Sequence, residues 1–260
     1  MDKKHWWKIA FSEIYFNAFD EIYSIKRGEK ETLFLINALK MKKGSRILDL
    51  ACGQGRHAIS FAQHGMNVAG VDASASLLKV AKQRARKAGV NIPFIKGDMR
   101  TYHNTVKYDF ILVLGNSFGY FSDMDNEQVL SNISTSLKKG GLLVLDLPNS
   151  PGMLRHEIVG AWTQRIPGGK LTTHMISFNP KTFQIAMQWR ILQNKKKTSF
   201  NGMLRLYTPP EINHLLIERN LSVKKIYGSF ADEPYNIKTS RCLVIAQKIS
   251  SRNNKKRITF

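Results

Sequence analysis

Two cysteines in 260 residues, Cys52 and Cys242, are too few for a disulfide framework, and neither sits in a Cys/His cluster with zinc spacing. A reducing, cytoplasmic setting is expected from that usage. Long apolar runs are also missing: stretches such as Phe110 to Leu114 fall far short of the roughly 20 residues that cross a bilayer, so a soluble protein is expected. At the N-terminus, Glu13, Asp20 and Glu21 interrupt the sequence before a signal-peptide core could form. Acidic residues are scarce too. Against 40 Lys and Arg stand 19 Asp and Glu, a formal charge of +21, and between Glu157 and Glu211 there is no acid at all. Such an excess suits a polyanionic partner, but it equally describes a solvated basic surface. The tail Arg252 to Arg257 reads as a frayed end.

The remaining composition is that of a globular chain, with 43% hydrophobic residues. Residues 6 to 39 carry apolar side chains at helical spacing, with a turn expected around Gly28. From Arg46 the pattern changes to short β-type runs separated by helical stretches, which predicts βαβ units and a parallel sheet. The strands fall at Arg46 to Leu50, Asn67 to Val71, Ile92 to Ile95, Phe110 to Leu114 and Leu142 to Leu147. Helices are expected at Arg56 to His64, Ser74 to Ala88 and Asn126 to Lys138, the last followed by a Gly140-Gly141 turn. After Pro148, Leu171 to Phe178, Thr182 to Leu192 and Thr198 to Tyr207 alternate as an antiparallel meander. A helix from Pro209 to Arg219 and strands at Leu221 to Tyr227 and Arg241 to Gln247 complete the sheet. The fold class is α/β: a doubly wound, seven-stranded, mostly parallel sheet with N-terminal helices and an inserted antiparallel β-meander. The expected domains are a helical cover (1–43), a Rossmann-like core (44–150), an inserted β cap over the substrate (151–208), completion of the sheet (209–248) and a basic tail (249–260).

The first strand runs into Asp49-Leu50-Ala51-Cys52-Gly53-Gln54-Gly55-Arg56-His57, where glycines let the backbone approach a ligand at a helix N-terminus. By itself this also fits a dinucleotide fingerprint. The second strand ends in Val71-Asp72, with Ala73 next, the third in Gly97-Asp98-Met99, and the fourth in Leu114-Gly115-Asn116. Acids at three consecutive strand tips would repel a pyrophosphate, yet they suit a ligand carrying a sulfonium, an ammonium, a diol and an adenine. A nicotinamide dehydrogenase is therefore the weaker alternative.

At these residues the chain resembles class I S-adenosylmethionine-dependent methyltransferases, and the Cys-Gly-x-Gly-Arg-His loop, Trp6, Phe11 and Tyr15, and Arg205-Leu206-Tyr207-Thr208 resemble a branch acting on small molecules. The resemblance implies S-adenosylmethionine as cofactor. It implies that Asp49 and the backbone of Ala51, Gly53 and Gly55 face the methionine part, Asp72 and Ala73 the ribose, Asp98 and Met99 the adenine, and Leu114 the cofactor's amino group, with Tyr15 covering the site. The family's first loop glycine is replaced here by Ala51 or Cys52, and its third by Arg56 or His57.

Methyl transfer needs positioning and exclusion of water more than a general base. Phe118, Tyr120 and Phe121 are the candidate acceptor-side residues, and His57 and His174 are possible bases. Within the acid-free stretch Arg190 and Arg205 are singled out as anchors for an anionic small-molecule acceptor. Two other readings stay open: a nucleic-acid methyltransferase, prompted by the charge although Asn116-Ser117-Phe118-Gly119 lacks the prolines of an Asn-Pro-Pro turn, and a non-catalytic S-adenosylmethionine binder.

Overall fold

A computed structural model describes residues 6 and 11 and residues 24–155, 159–166, 170–193 and 196–250. Tyr15 and residues 251–260 of the basic tail lie outside the described residues. The strands, in chain order, are β1 (Arg46–Leu50), β2 (Asn67–Asp72), β3 (Phe94–Lys96), β4 (Tyr108–Val113), β5 (Leu137–Pro148), β6 (Gly160–Ile166), β7 (Lys170–Asn179), β8 (Gln184–Gln193), β9 (Lys196–Arg205), β10 (Leu221–Tyr227) and β11 (Arg241–Lys248). The helices are α1 (Ile25–Ala38), α2 (Arg56–Gln63), α3 (Ala75–Lys87), α4 (Asp123–Ser136), α5 (Ser150–Arg155) and α6 (Pro209–Glu218).

Seven strands form one sheet in the order β10-β11-β5-β4-β1-β2-β3. Within it β11 runs antiparallel to both β10 and β5, and the remaining pairings are parallel. Strands covered on both faces need apolar side chains in both parities, which is why these segments read as nearly continuous apolar runs. In β4, Phe110 and Leu112 face a cluster shared with Leu35, Ile59 and Phe61 of α1 and α2. Its alternates Ile111 and Val113 face Val129 and Leu130 of α4 and Leu216 of α6 on the other side. The doubly wound, mostly parallel sheet expected from the sequence is thus present.

Several details differ from the sequence-based expectation. Helix α4 starts three residues earlier than Asn126, because Ser122 caps it by accepting from the Asp125 amide, and Asp123 and Asp125 favour the positive end of the helix dipole. Gly140 and Gly141 do not end an element; they lie inside β5, whose register against β4 shifts between Tyr108 and Phe110. The meander has four strands, β6-β7-β8-β9, not three. The additional strand, β6, pairs with β7 from Gly160↔Ile176 to Ile166↔Lys170.

This second sheet has one buried and one exposed face. Thr172, His174, Ile185, Ile191, Phe200 and Leu204 are buried, whereas Arg165, Met175, Arg190 and Lys197, of opposite parity, are exposed. The backbone amide of Arg205 donates to the Gly119 carbonyl at 2.8 Å, tying the end of β9 to the loop after β4.

Candidate active site

The carboxyl ends of β1, β2, β3 and β4 open into a cleft of about 680 Å³. One wall is formed by Asp49, the Ala51–Gln54 loop, Asp72, Ala73, Asp98, Met99 and Leu114; the facing wall by Trp6, Phe11, Tyr120, Phe121, Met187 and Trp189. The loop geometry follows from a backbone that doubles back. Ala51, Gly53 and Gly55 all have positive φ, at 64°, 55° and 77°. Ala51 thus holds a left-handed conformation that costs an L-residue about 1 kcal/mol or more. Gly55 does not line the cleft. It lets α2 lie close to β3: a Cβ there would stand 2.9 Å from Phe94 Cζ.

Asp72 ties the loop to the second strand. Its Oδ2 accepts from the Gly53 amide and its Oδ1 from the Ser74 amide, each at 2.8 Å. Each oxygen retains a further lone pair that can accept from a ligand hydroxyl. Burial raises the Asp72 pKa, and the backbone donors of Ser74, Gly53 and Ala73 work against that rise. Asp49 is buried, and its Oδ2 has no hydrogen-bond partner. Burial pushes its pKa up to about 7, opposed by the Arg56 charge and assisted by that of Asp72. A buried carboxylate oxygen left unsatisfied on a cleft wall suits a cationic ligand group. Asp98 is already engaged: Arg100 holds it with Nε at 3.1 Å and Nη2 at 2.7 Å, while the guanidinium stacks 4.4 Å from the Phe121 ring. The Leu114 carbonyl accepts from the Ser117 hydroxyl at 2.8 Å and keeps one lone pair.

The facing wall is aromatic. Tyr120 meets Trp6 edge-on at 5.3 Å between centroids and Phe11 at 5.2 Å. Phe118 is not part of it. That ring is 1% exposed in the core, 5.3 Å from Tyr207. Neither Arg190 nor Arg205 lines the cleft. Arg190 has outward parity and donates to Gln188 at 3.0 Å. Arg205 is drawn to Glu211 at 2.7 Å and Asp123 at 3.3 Å. Nor does His174, which is buried in the second sheet with its Nε2 3.1 Å from the Thr172 hydroxyl. His57 does reach the cleft, but burial and the adjacent Arg56 charge lower its pKa to about 4. It is therefore neutral near pH 7, with Nε2 2.7 Å from Glu31.

Sequence reasoning missed two supports. Asp146, at the end of β5, accepts from the Gly115 amide at 2.8 Å and from Arg241 at 2.7 Å, and Arg241 also reaches Asn116 Oδ1 at 3.3 Å. This ion pair fixes the Leu114–Asn116 turn. Glu31 of α1 joins Arg56 and His57. A buried glutamate on the inner stripe of an amphipathic helix was the available signal for the second; nothing local marked the first.

These features define the class. Residues 47–141 match the family described as a methyltransferase domain. Residues 47–141 are thus a methyltransferase domain, and the fold and the strand-tip acids agree with the class I, S-adenosylmethionine-dependent kind. Among curated proteins, the glycine/sarcosine N-methyltransferase of Halorhodospira halochloris is 35% identical over 133 residues, 50% of each chain. The chain thus spans about half the length of that relative. Among solved structures, an S-adenosylmethionine-dependent methyltransferase from Clostridium acetobutylicum superposes with a TM-score of 0.80 at 16% identity, covering 92% of this chain and 99% of that one. An S-adenosylmethionine-bound amino pentose methyltransferase from Micromonospora echinaspora gives 0.66 at 19% identity, covering 90% and 96%. At those identities the likeness concerns the fold alone. Among the described residues no helix is long and apolar enough to cross a membrane.

Proposed function

We propose that the protein transfers the methyl group of S-adenosylmethionine to the nitrogen of a small amine, with glycine- and sarcosine-type acceptors the first to be tried. The observation that carries this reading is the cleft itself: about 680 Å³, with acids and an orphaned Asp49 oxygen on one wall and aromatic rings on the other. That volume is in the usual small-molecule range. The named activity of the Halorhodospira relative supports nitrogen as the target.

When bound, S-adenosylmethionine supplies a methyl group already activated on a sulfonium. Asp72 accepts from the ribose hydroxyls, Asp98 from the adenine amino group with Met99 beside the ring, and Asp49, the Ala51–Gly53 backbone and the Leu114 carbonyl serve the amino-acid end. Trp6, Phe11, Tyr120 and Trp189 exclude water around the acceptor. An amine attacks only when unprotonated, and a dry aromatic surround disfavours its ammonium form. The wall thereby favours the reactive state without a dedicated base, and an acceptor held in line gains most of its rate from position.

The basic charge supports no polymer at this site, since Arg165, Arg190 and Lys197 are exposed on the outward side of the second sheet. The test is to incubate the protein with S-adenosylmethionine and a panel of glycine, sarcosine, amino sugars and RNA, following the demethylated cofactor and the mass of each acceptor. Acceptor-dependent turnover on a small amine is expected. Methylation confined to RNA, or no acceptor-dependent turnover, overturns the reading.

A further inference from the structure

The strands β6 to β9 contain no acidic residue, so a cation in them finds a carboxylate only on the core. Arg205, at the end of β9, finds two. Its Nη2 lies 2.7 Å from Glu211 Oε1 and its Nε 3.3 Å from Asp123 Oδ1, in the first turns of α6 and α4. Neither acid needs the arginine for its own helix. Asp123 already meets the positive end of α4, and Glu211 caps α6 through its other oxygen, Oε2, which accepts from the Thr208 amide and hydroxyl. The guanidinium also lies 4.7 Å from the centre of the Tyr207 ring and 5.7 Å from that of Phe183, and its Nη1 donates to the Leu206 carbonyl. With its side chain 13% exposed, Arg205 is enclosed by groups of the insert and of the core together.

The main chain of the same residue makes the joint. Its amide donates to the Gly119 carbonyl at 2.8 Å, and a Cβ on Gly119, whose φ is 104°, would stand 2.5 Å from the Arg205 carbonyl oxygen. Tyr120 and Phe121 follow Gly119 directly and Leu204 precedes Arg205; all three line the cleft, whereas Arg205 does not. On the neighbouring strand Arg205 pairs with Gln184, and Trp189 stands five residues further on, about 17 Å away at the usual rise of a strand. A tilt of the sheet by about 5° at the joint would therefore carry Trp189 about 1.5 Å. The inner face of the sheet packs on Trp6, Phe11, Tyr120 and Phe121, but apolar burial has no preferred direction and leaves such a tilt open. Charge-assisted bonds of fixed geometry close it.

We propose that Arg205 is a positioning residue for the acceptor: it latches the inserted sheet to α4 and α6 and so fixes the width of the slot between Trp189 and Tyr120 that the amine enters. This rests on the reading of the cleft as a site of methyl transfer to a small amine. In-line transfer loses about 100-fold for a misplacement of about 1 Å, so a wall carried on a long arm has to be anchored at the root of that arm. The acid-free composition of the insert serves the anchor. With no carboxylate inside the sheet to compete for it, the guanidinium pairs across the joint, and its planar fork reaches two helices at once.

Kinetics with sarcosine, calorimetry with S-adenosylmethionine and amide hydrogen exchange test the latch on three variants. For Arg205→Met the expected result is a fall in kcat/KM for sarcosine of about 10- to 100-fold, with cofactor affinity unchanged within about twofold. Exchange should quicken at residues 119–121 and 185–191 and stay level in the strand-tip loop 51–55. Arg205→Lys keeps the charge but not the fork and should recover part of the loss; if the Met variant does not fold, the Lys variant carries the test with a loss of about three- to tenfold. Arg219→Met is the control. That arginine also joins α4 to α6, through Glu127 at 2.7 Å, with Ser131 and Leu215 of the same helices as further partners, and its loss should leave kcat/KM within about twofold. A loss for Arg205→Met no larger than that of the control, an equal loss of cofactor affinity, or exchange that quickens uniformly over the chain would make Arg205 a structural ion pair and overturn the proposal. A wild-type protein that methylates no amine would instead overturn the proposed function, while the exchange pattern would still decide whether Arg205 fixes the wall.

Discussion

The two walls of the cleft are built by different parts of the chain and by different kinds of contact. The strand-tip wall is formed by the ends of parallel strands, where the main chain fixes the geometry: three positive-φ residues in the β1–α2 loop, and Asp72 held by the Gly53 and Ser74 amides. The facing wall, the acceptor's side in the proposed function, consists of side chains from distant segments, Trp6, Phe11, Tyr120, Met187 and Trp189. Side chains can be exchanged without rebuilding the backbone that carries them, whereas a strand-tip loop cannot be altered piecemeal. In the proposed function this difference separates what the domain binds from what it selects.

That separation can be broken at Asp72. Asp72→Ala removes a charged acceptor and leaves the Gly53 and Ser74 amides without their partner, so S-adenosylmethionine affinity should fall by about 2 to 4 kcal/mol in calorimetry. A folded Asp72→Ala protein with normal affinity would contradict the placement of the ribose. The next effect concerns Glu31 and His57. Folding lowers the Glu31 pKa from 4.5 to about 2 and that of His57 from 6.5 to about 4. Both depressed values give stability that is present above the unfolded pKa and lost as the pH falls through the folded one. Thermal unfolding should therefore show a loss on acidification from about pH 6.5 downward, up to about 3 kcal/mol for the coupled pair. Glu31→Gln should remove only the part below about pH 4.5, because Glu31 itself works to raise the His57 pKa, and a wild-type Tm that stays level down to about pH 4 would contradict the His57 part.

Trp189→Ala probes the other wall. It should raise the acceptor KM about tenfold while leaving cofactor affinity within about twofold, and a larger effect on the cofactor would mean that the walls are not independent. The smallest change is expected at Ala51. Glycine removes the left-handed strain at φ 64° but adds unfolded-state entropy, so Ala51→Gly should stabilise the protein by less than about 1 kcal/mol in chemical denaturation.

How much was legible in the sequence can be judged residue by residue. The βαβ rhythm and the acids at three consecutive strand tips were visible because strand, tip and helix start are contiguous in the chain. The four-stranded insert was read as three because the apolar side chains of β6 do not alternate, and an edge strand can be paired by its backbone alone. Arg190 and Arg205 attracted attention as charges beside aromatic residues. A strand's alternation says that neighbours face opposite sides, but not which side meets the core. Here Trp189 points inward and Arg190 outward, while Arg205 is held by Asp123 and Glu211 from two helices.

The sequence by itself therefore determined the α/β class and the place of the acids at the carboxyl edge of the sheet, all of which depend on local spacing. Only the tertiary structure decided that the wall facing the strand tips is aromatic rather than basic. It also decided that Phe118 belongs to the core, that Arg241 and Asp146 hold the Gly115 turn, and that Glu31 reaches Arg56. Each of these depends on which segments meet across the fold, and a contact between residues far apart in the chain leaves no periodic trace in either segment.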